Sequence, residues 1–341
     1  MTKITSADVA RLAGVSRSAV SRVFTPGASA SPDTVARVRR AATELGYRHA
    51  AQSRNRPEQS RVGLVVSSVE NPFYAQATKC LSMALQARGF DTLLLVEMAT
   101  VGTADDIIAR CVDQDVEGLL VSSAATVSEL AERCDRLGIP SVFFNRLPDD
   151  ARSNCVTTNN YSGGRMVGDF LIATGHERMA YLAGWEFAST QRDREAGFLA
   201  SLKEADLELH SREVGGFDYD TAKDATRRLF ARSDIPDAVF VANDHMAFAC
   251  MDVLRFELGL SVPRDVSVVG FDDVLLASWP TYDLTTVSQP VERMADHAVE
   301  MLVHQIKVSK TSGQRIAIDG NLVIRGSTAA RSSSSTFQKS G

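Results

Sequence analysis

The sequence predicts an α/β protein: an all-α helix-turn-helix head at the N-terminus, followed by two lobes each built on a doubly wound parallel sheet. Three observations predict it. Charge is split along the chain: residues 1–60 carry ten Lys or Arg against four Asp or Glu, a net +6, which leaves −11 for the remainder of a chain whose total is −5. The same segment holds three short amphipathic stretches, each opened by a capping residue. From Arg61 onward, apolar runs alternate with amphipathic stretches about every 25 to 30 residues and restart after Gly164.

The head is justified element by element. Thr5 with Asp8 three residues on fits a capping box, and Val9, Ala10 and Leu12 give the first helix an apolar stripe. Ala13, Gly14 and Val15 make a tight turn. Ser16 caps a second helix, Arg17 to Phe24, whose Val20 and Val23 face inward while Arg17, Ser18, Ser21 and Arg22 face out. Ser31 caps a third helix with Pro32 at its first position; it carries Val35, Val38, Ala42 and Leu45 and stops at Gly46. Two short helices joined by a Gly-bearing turn read as a helix-turn-helix.

In the first lobe the runs VGLVVSS, TLLLV, GLLVSS and SVFFN read as buried strands, with helices over 72–88, 104–113 and 127–137 between them. In the second, MAYLAG, AVFVAN and VSVVGF are the strands, with one helix through Phe198 and Leu202 and another over 245–258. Such βαβ units place ligands at the carboxyl ends of the strands. The residues there are polar and aromatic: Ser67 and Ser68, Asn71 to Tyr74, Ser122 and Ser123, Asn145 and Arg146, Trp185 to Arg194, Asn243 and Asp244, and Phe271 to Asp273.

Composition narrows the function classes. At 341 residues the chain exceeds one usual domain, and 44% hydrophobic with 23% charged residues is ordinary for a soluble globular protein. No apolar run reaches the roughly 18 residues of a membrane span. The opening MTKITSADVARLAG lacks an export signal, so a cytoplasmic protein is expected. Five scattered cysteines, Cys80, Cys111, Cys134, Cys155 and Cys250, with no CxxC pair, suit buried thiols in a reducing compartment and no metal site. The sequence contains no P-loop, GxGxxG, HExxH or GxSxG pattern, so neither a cofactor nor catalysis is expected.

A basic head on an acidic body suggests a polyanion-binding module on a carrier that DNA would repel. The segments DVARLAGVSRSAVSRVF and SPDTVARVRRAATELGYR resemble, without gaps over about fifty residues, the DNA-binding head of the lactose repressor family of LacI/GalR-type regulators. NPFY, TTNNYSGGR, STQRDREAGF, VANDHMA, VPRDVSVVGFDD and LTTVSQP are similar to that family's body, which is itself similar to type I periplasmic sugar-binding proteins. The resemblance extends to about residue 327.

It implies domains at 1–48 (the head), 49–60 (a hinge) and 61–327 (two effector-binding and dimerising lobes), with a lobe boundary near 158–164 and crossovers near 285–290. Residues 328–341 read as a disordered Ser-rich tail without the leucine heptads of a tetramer-forming coiled coil. On the head, the resemblance places Arg17, Ser18 and Arg22 towards base edges in the major groove, and Ser6, Ser16, Ser21 and Ser31 towards phosphates. Arg17 suits a bidentate contact to guanine. Arg54 and Arg56 of the hinge complete the DNA-binding set; Arg56 stands where the family usually has a wedging leucine, so weaker DNA bending is expected.

On the body, the family's effector positions fall on Phe73, Tyr74, Ser122, Asn145, Arg192, Phe217, Asn243 and Asp272. Arg146, beside the same set, can pair with a carboxylate or phosphate or with Asp149 or Asp150. Aromatic faces with Asn, Asp and Arg suit a polyhydroxylated ligand. Structural roles are the alternative: Phe73 and Tyr74 as packing, Asp272 and Asp273 as helix caps.

The reading is a ligand-responsive DNA-binding transcriptional regulator, taken as a repressor. It binds a pseudo-palindromic double-stranded operator as a homodimer and responds to a sugar, sugar acid or sugar phosphate held between its lobes, with no membrane partner. A periplasmic-type solute-binding protein shares the body's fold but not the head. A sugar-metabolising α/β enzyme of the ribokinase type lacks its glycine motifs here.

Overall fold

The computed structural model describes residues 4–25, 28–45, 47, 60–67, 70–96, 103–122, 127–148, 152–231, 233–308 and 313–331. The chain divides into two compact units, one of Met1–Val69, Ala77–Val156 and Glu292–Ile316 and the other of Glu70–Gln76, Thr157–Val291 and Ala317–Gly341. The chain therefore changes unit near 69, 76, 156, 291 and 316; the changes near 69, 76 and 316 were not among the expected boundaries.

The head lies in the first unit as three helices: α1 (Ser6–Ala13), α2 (Arg17–Phe24) and α3 (Pro32–Leu45). Local chemistry sets each start. The Asp8 carboxylate accepts from the Thr5 amide at 3.0 Å and from its hydroxyl at 2.7 Å, and these bonds hold the Asp8 carboxyl below the usual range. Ser16 Oγ accepts the Ala19 amide at 3.2 Å, and Ser31 Oγ the Thr34 amide at 3.3 Å. Such caps are worth about 1 kcal/mol each. Val9, Val20, Phe24, Val38, Ala42 and Tyr47 then close one small core.

The body of the first unit is a six-stranded sheet in the order β11-β5-β4-β3-β1-β2, from β1 (Ser60–Val66), β2 (Phe90–Val96), β3 (Val116–Ser122), β4 (Ser141–Phe144), β5 (Asn154–Thr158) and β11 (Arg315–Ile318). The helices α4 (Pro72–Gln86), α5 (Ala104–Asp113) and α6 (Val127–Leu137) follow β1, β2 and β3 in turn. The strand order steps from β2 through β1 to β3, the doubly wound arrangement that runs of buried Val and Leu predict. Ile107, Ile108, Leu119, Leu130, Cys134 and Phe143 are among the residues of its core.

The second unit repeats the plan. Its sheet runs β12-β10-β9-β8-β6-β7, from β6 (Met179–Ala183), β7 (Ser211–Val214), β8 (Ala238–Val241), β9 (Ser267–Asp272), β10 (Thr285–Ser288) and β12 (Asn321–Val323). The pairings of β6 with β7 and β8, and of β9 with β8 and β10, are parallel; β12 is antiparallel to β10. The helices are α7 (Asn160–Ala173), α8 (Ser189–Glu204), α9 (Tyr219–Leu229) and α10 (Asp244–Asp252), while α11 (Val291–Val308) returns the chain to the first unit. α7 and α8 touch backbone to backbone. A Cβ on Gly164 would lie 2.0 Å from the Arg194 carbonyl oxygen, and one on Gly197 would lie 2.0 Å from that of Tyr161.

Three expectations change. The helix expected over 245–258 is α10 followed by a π-helical turn, Val253–Glu257. β5, β7, β10 to β12, α9 and α11 were not among the expected elements. The start of the Ser-rich tail is held in place: Arg331 donates its amide to the Thr174 carbonyl at 2.8 Å and its guanidinium to the carbonyls of Asp237 and Asp265, and the Ala329 amide reaches Ser267. Residues 332–341 lie outside the described residues.

Candidate DNA and effector sites

On the head, Arg17, Ser18, Ser21 and Arg22 of α2 are exposed together, as are Ser16 and Ser31; Ser6 is half-buried. Arg11 pairs with Asp8, Arg37 with Asp33 and Arg39 with Asp113. Among the described residues no acid pairs with Arg17 or Arg22. Arg22 lies beside Ser31 and Thr34 in an open concavity of about 430 Å³, also lined by Ala19, Ser29 and Ala30. Short hydroxyls and uncompensated guanidinium groups on an exposed helix suit a polyanion. Arg54 and Arg56, with the 49–59 part of the hinge, lie outside the described residues.

In the first unit, Ser122 ends β3, and Asn145 and Arg146 follow the neighbouring β4. All three are buried, and among the described residues neither Ser122 Oγ nor Asn145 Oδ1 has a hydrogen-bond partner. Buried polar atoms left without partners are rare in folded proteins, and a ligand hydroxyl is one group that satisfies them. Arg146 donates to the Asn145 carbonyl at 3.2 Å; Asp149 and Asp150, its alternative partners, lie outside the described residues.

In the second unit, Asn243 and Asp272 lie at the carboxyl ends of the adjacent strands β8 and β9, both buried. Asn243 Oδ1 caps α10 by accepting the Met246 amide at 3.0 Å. Asp272 Oδ1 accepts from Gln289 Nε2 at 2.6 Å, while Gln289 Oε1 accepts the Thr158 hydroxyl at 2.7 Å. Asp273 is tied instead to Arg325 at 2.7 Å. Phe217, half-buried after β7, lies so close over Gly184 that any side chain there would enter its ring. Phe73 and Tyr74 are buried edge to face, with ring centroids 5.5 Å apart, in the segment Glu70–Gln76.

Arg192 is exposed, and the structure brings a different arginine to Asp272. Arg194, with 3% of its side chain exposed, has Nη2 3.7 Å from Asp272 Oδ1. It donates Nε to Asn160 Oδ1 at 2.9 Å and Nη1 to the Ala242 carbonyl, and its guanidinium stacks 3.7 Å from the Phe271 ring centroid. The reason is helical geometry. Two residues are about 200° around a helix, so Arg192 and Arg194 face opposite ways. Gln191, Arg194, Phe198 and Ser201 form the buried stripe, at spacings of three and four that were legible in the sequence. Gln289 and Asn160 carried no such signal.

Backbone strain marks the same places. Of the described non-glycine residues with left-handed φ, Asn145 (57°), Phe217 (65°) and Asp272 (136°) are expected effector positions and Asp273 (58°) is next in sequence; Asp115, Asp206 and Asp283 lie elsewhere. Each such conformation costs on the order of 1–3 kcal/mol and concentrates at ligand sites.

All five cysteines are free. Among the described residues no group of three or more His, Cys, Asp or Glu side chains could hold a metal ion, and no helix is long and apolar enough to cross a membrane.

The head and the two-sheet body both have counterparts among known proteins. Residues 5–49 match the bacterial regulatory proteins of the lacI family, and residues 169–328 match the periplasmic binding protein-like domain. The chain is 31% identical over 328 residues to the ribose operon repressor of Escherichia coli K12, covering 95% of this chain and 99% of that one. It is 35% identical over 329 residues to the transcriptional regulator CelR of Thermobifida fusca, covering 93% and 96%. Among solved structures, the complex of the regulator CelR with cellobiose matches with a TM-score of 0.72 at 33% identity, covering 95% of this chain and 99% of that one. The Lac repressor dimer bound to operator and the anti-inducer ONPF matches with 0.72 at 25% identity, covering 96% and 100%. The fold, the head and these similarities along nearly the whole chain establish that it belongs to the lacI family of transcriptional regulators.

Proposed function

We propose that this regulator binds a pseudo-palindromic operator as a homodimer in the cytoplasm and represses transcription under the control of a sugar. Arg17, Ser18 and Arg22 of α2 read base edges, and Ser6, Ser16, Ser21 and Ser31 meet phosphates. The observation that carries this half is the pair of exposed guanidinium groups of Arg17 and Arg22, which no described acid neutralises. Arg54 and Arg56 add hinge contacts, and Arg56 gives a weaker bend than a leucine wedge.

The effector half rests on the polar strand ends. In the first unit, Ser122, Asn145 and Arg146 suit the hydroxyls of a sugar; in the second, Asp272 and Asn243 suit its hydroxyls, and Phe217, Phe73 and Tyr74 its C–H faces. Arg194 takes the place expected for Arg192 and orients Asp272. Nothing in this scheme requires a catalytic step. Cellobiose and ribose are the first sugars to try, because relatives of this chain are a CelR–cellobiose complex and a ribose operon repressor.

Two titrations of the full chain test the proposal. Fluorescence anisotropy on pools of pseudo-palindromic duplexes, with half-sites one helical turn apart, should select one sequence with the salt dependence of phosphate contacts. Thermal shift against cellobiose, ribose, sugar acids and sugar phosphates should raise the melting temperature with one compound, as mass action requires. That compound should also change operator affinity. A chain that binds all duplexes alike, or that no member of the panel stabilises, would refute the corresponding half.

A further inference from the structure

Asp244, the first residue of α10, is wholly buried, and its two oxygens hold two different elements. Oδ1 accepts the Thr286 hydroxyl of β10 at 2.6 Å, and Oδ2 accepts the Val274 amide at 3.0 Å. Any side chain at Gly270 of β9 would collide with Oδ1, so the strand beneath is cleared for the carboxylate. Among the described residues no cation pairs with it; Arg194 is directed to Asp272, and Arg325 to Asp273. A carboxylate in such a place is held at a cost. Burial first, and then the nearby Asp272 carboxylate, push it up to about 7.

What it holds is the turn after β9. Asp272 and Asp273 both have left-handed φ, 136° and 58°, a pair of conformations that persists only where surrounding contacts over-determine it. Val274 supplies the next amide after this pair, and the Asp244 carboxylate fixes that amide against the body of the unit.

We propose that Asp244 is a positioning residue for the effector site: by accepting from Val274 and Thr286 at once, it fixes the strained Asp272–Asp273 turn and so aims the Asp272 carboxylate. This rests on the reading of Asp272 as an effector contact. Asparagine preserves the device, because its carbonyl accepts the Val274 amide while its NH2 donates to the Thr286 hydroxyl oxygen. Alanine abolishes it.

The test uses the full chain as wild type, D244A, D244N, D272N and the double variant D244A/D272N, with T286V as a milder variant should D244A fail to fold. Amide hydrogen exchange is followed over residues 271–276, and cellobiose binding is measured by calorimetry. Losing the Asp244 acceptor should speed exchange of the Val274 amide and weaken cellobiose binding, each by about tenfold, with strand β8 still protected. D244N should restore both to within about threefold, and T286V should fall between D244A and wild type. D244A/D272N should bind no more weakly than D272N alone, since Asp244 acts through Asp272. Unchanged exchange at Val274 in D244A and T286V, or additive losses in the double variant, overturns the proposal. If D272N leaves cellobiose binding intact, the reading of Asp272 itself is overturned. If cellobiose does not bind the wild type, that choice of sugar fails, and the exchange measurement, which needs no sugar, still decides whether Asp244 holds the turn.

Discussion

Arg194 and Asp272 face each other across 3.7 Å, Nη2 to Oδ1, with only 3% and 4% of their side chains exposed. The guanidinium also donates to Asn160 Oδ1 and to the Ala242 carbonyl, so its charge is held in place beside the Asp272 carboxylate. Removing one partner of a buried pair leaves the other charge uncompensated. Arg194→Ala should therefore destabilise the protein by about 3–5 kcal/mol, while Arg192→Ala, on the exposed face, should stay within about 0.5 kcal/mol of wild type. Urea unfolding of both variants checks this. Equal effects would mean that the buried face of α8 has been misassigned.

Arg17 stands exposed at the first turn of α2, the helix proposed to meet base edges. Arg17→Ala should cost about 1–3 kcal/mol on the selected operator and relax preference at one base pair. A uniform loss across all duplex sequences would make Arg17 a phosphate contact instead.

The crossing of α7 and α8 depends on the absence of side chains at Gly164 and Gly197, whose Cβ atoms would meet carbonyl oxygens at 2.0 Å. Backbone has little room to yield, so Gly164→Ala should lower stability by about 1–3 kcal/mol or more, despite alanine's better helix propensity. Denaturant midpoints report the sign directly; a stabilised variant would show that the helices can separate cheaply.

His176 is buried between the Leu171 carbonyl, at 3.1 Å from Nδ1, and Ser267 Oγ, at 2.9 Å from Nε2. Burial, the largest cause, lowers its pKa below the ordinary 6.5. The folded state thus prefers the neutral ring. The stability this gives is full above the unfolded value and is lost as pH falls through about 6.5 towards the folded value. The advantage of wild type over His176→Gln in melting temperature should shrink from pH 7.5 to pH 5. A difference that does not change with pH would place the ring's titration elsewhere.

Burial pushes the thiols of Cys111, Cys134 and Cys250 up to about 12 and that of Cys155 to about 11, while Cys80 is only half-buried. Since the thiolate is the reactive form, a disulfide reagent should modify Cys80 first and the other four only on unfolding. Rapid labelling of four or five thiols in the native protein would contradict the packing.

The head was legible almost residue by residue. Its capping residues Thr5, Ser16 and Ser31, the turn after Ala13 and the stripe through Val9, Val20 and Val38 all act within four residues of their partners, and short-range chemistry is written in order along the chain. The alternation of buried runs gave the two α/β halves for the same reason. The edge strands β7, β11 and β12 escaped notice because they are short, carry few buried residues and gain their hydrogen bonds from partners far away in sequence.

At the candidate effector site the division is sharper. The sequence by itself determined which residue types gather at the strand ends, Asn145, Arg146, Asn243 and Asp272 among them, because strand polarity and βα order dictate that edge. Tertiary structure alone decided their partners. Gln289 reaches Asp272 from β10's far end, Asn160 holds Arg194 from another helix, and Asp244 ties the 272–274 turn to β10. It also imposed left-handed backbone on Asn145, Phe217 and Asp272, none of them glycine. Local propensity disfavours that conformation, so only packing from distant parts of the chain can hold it.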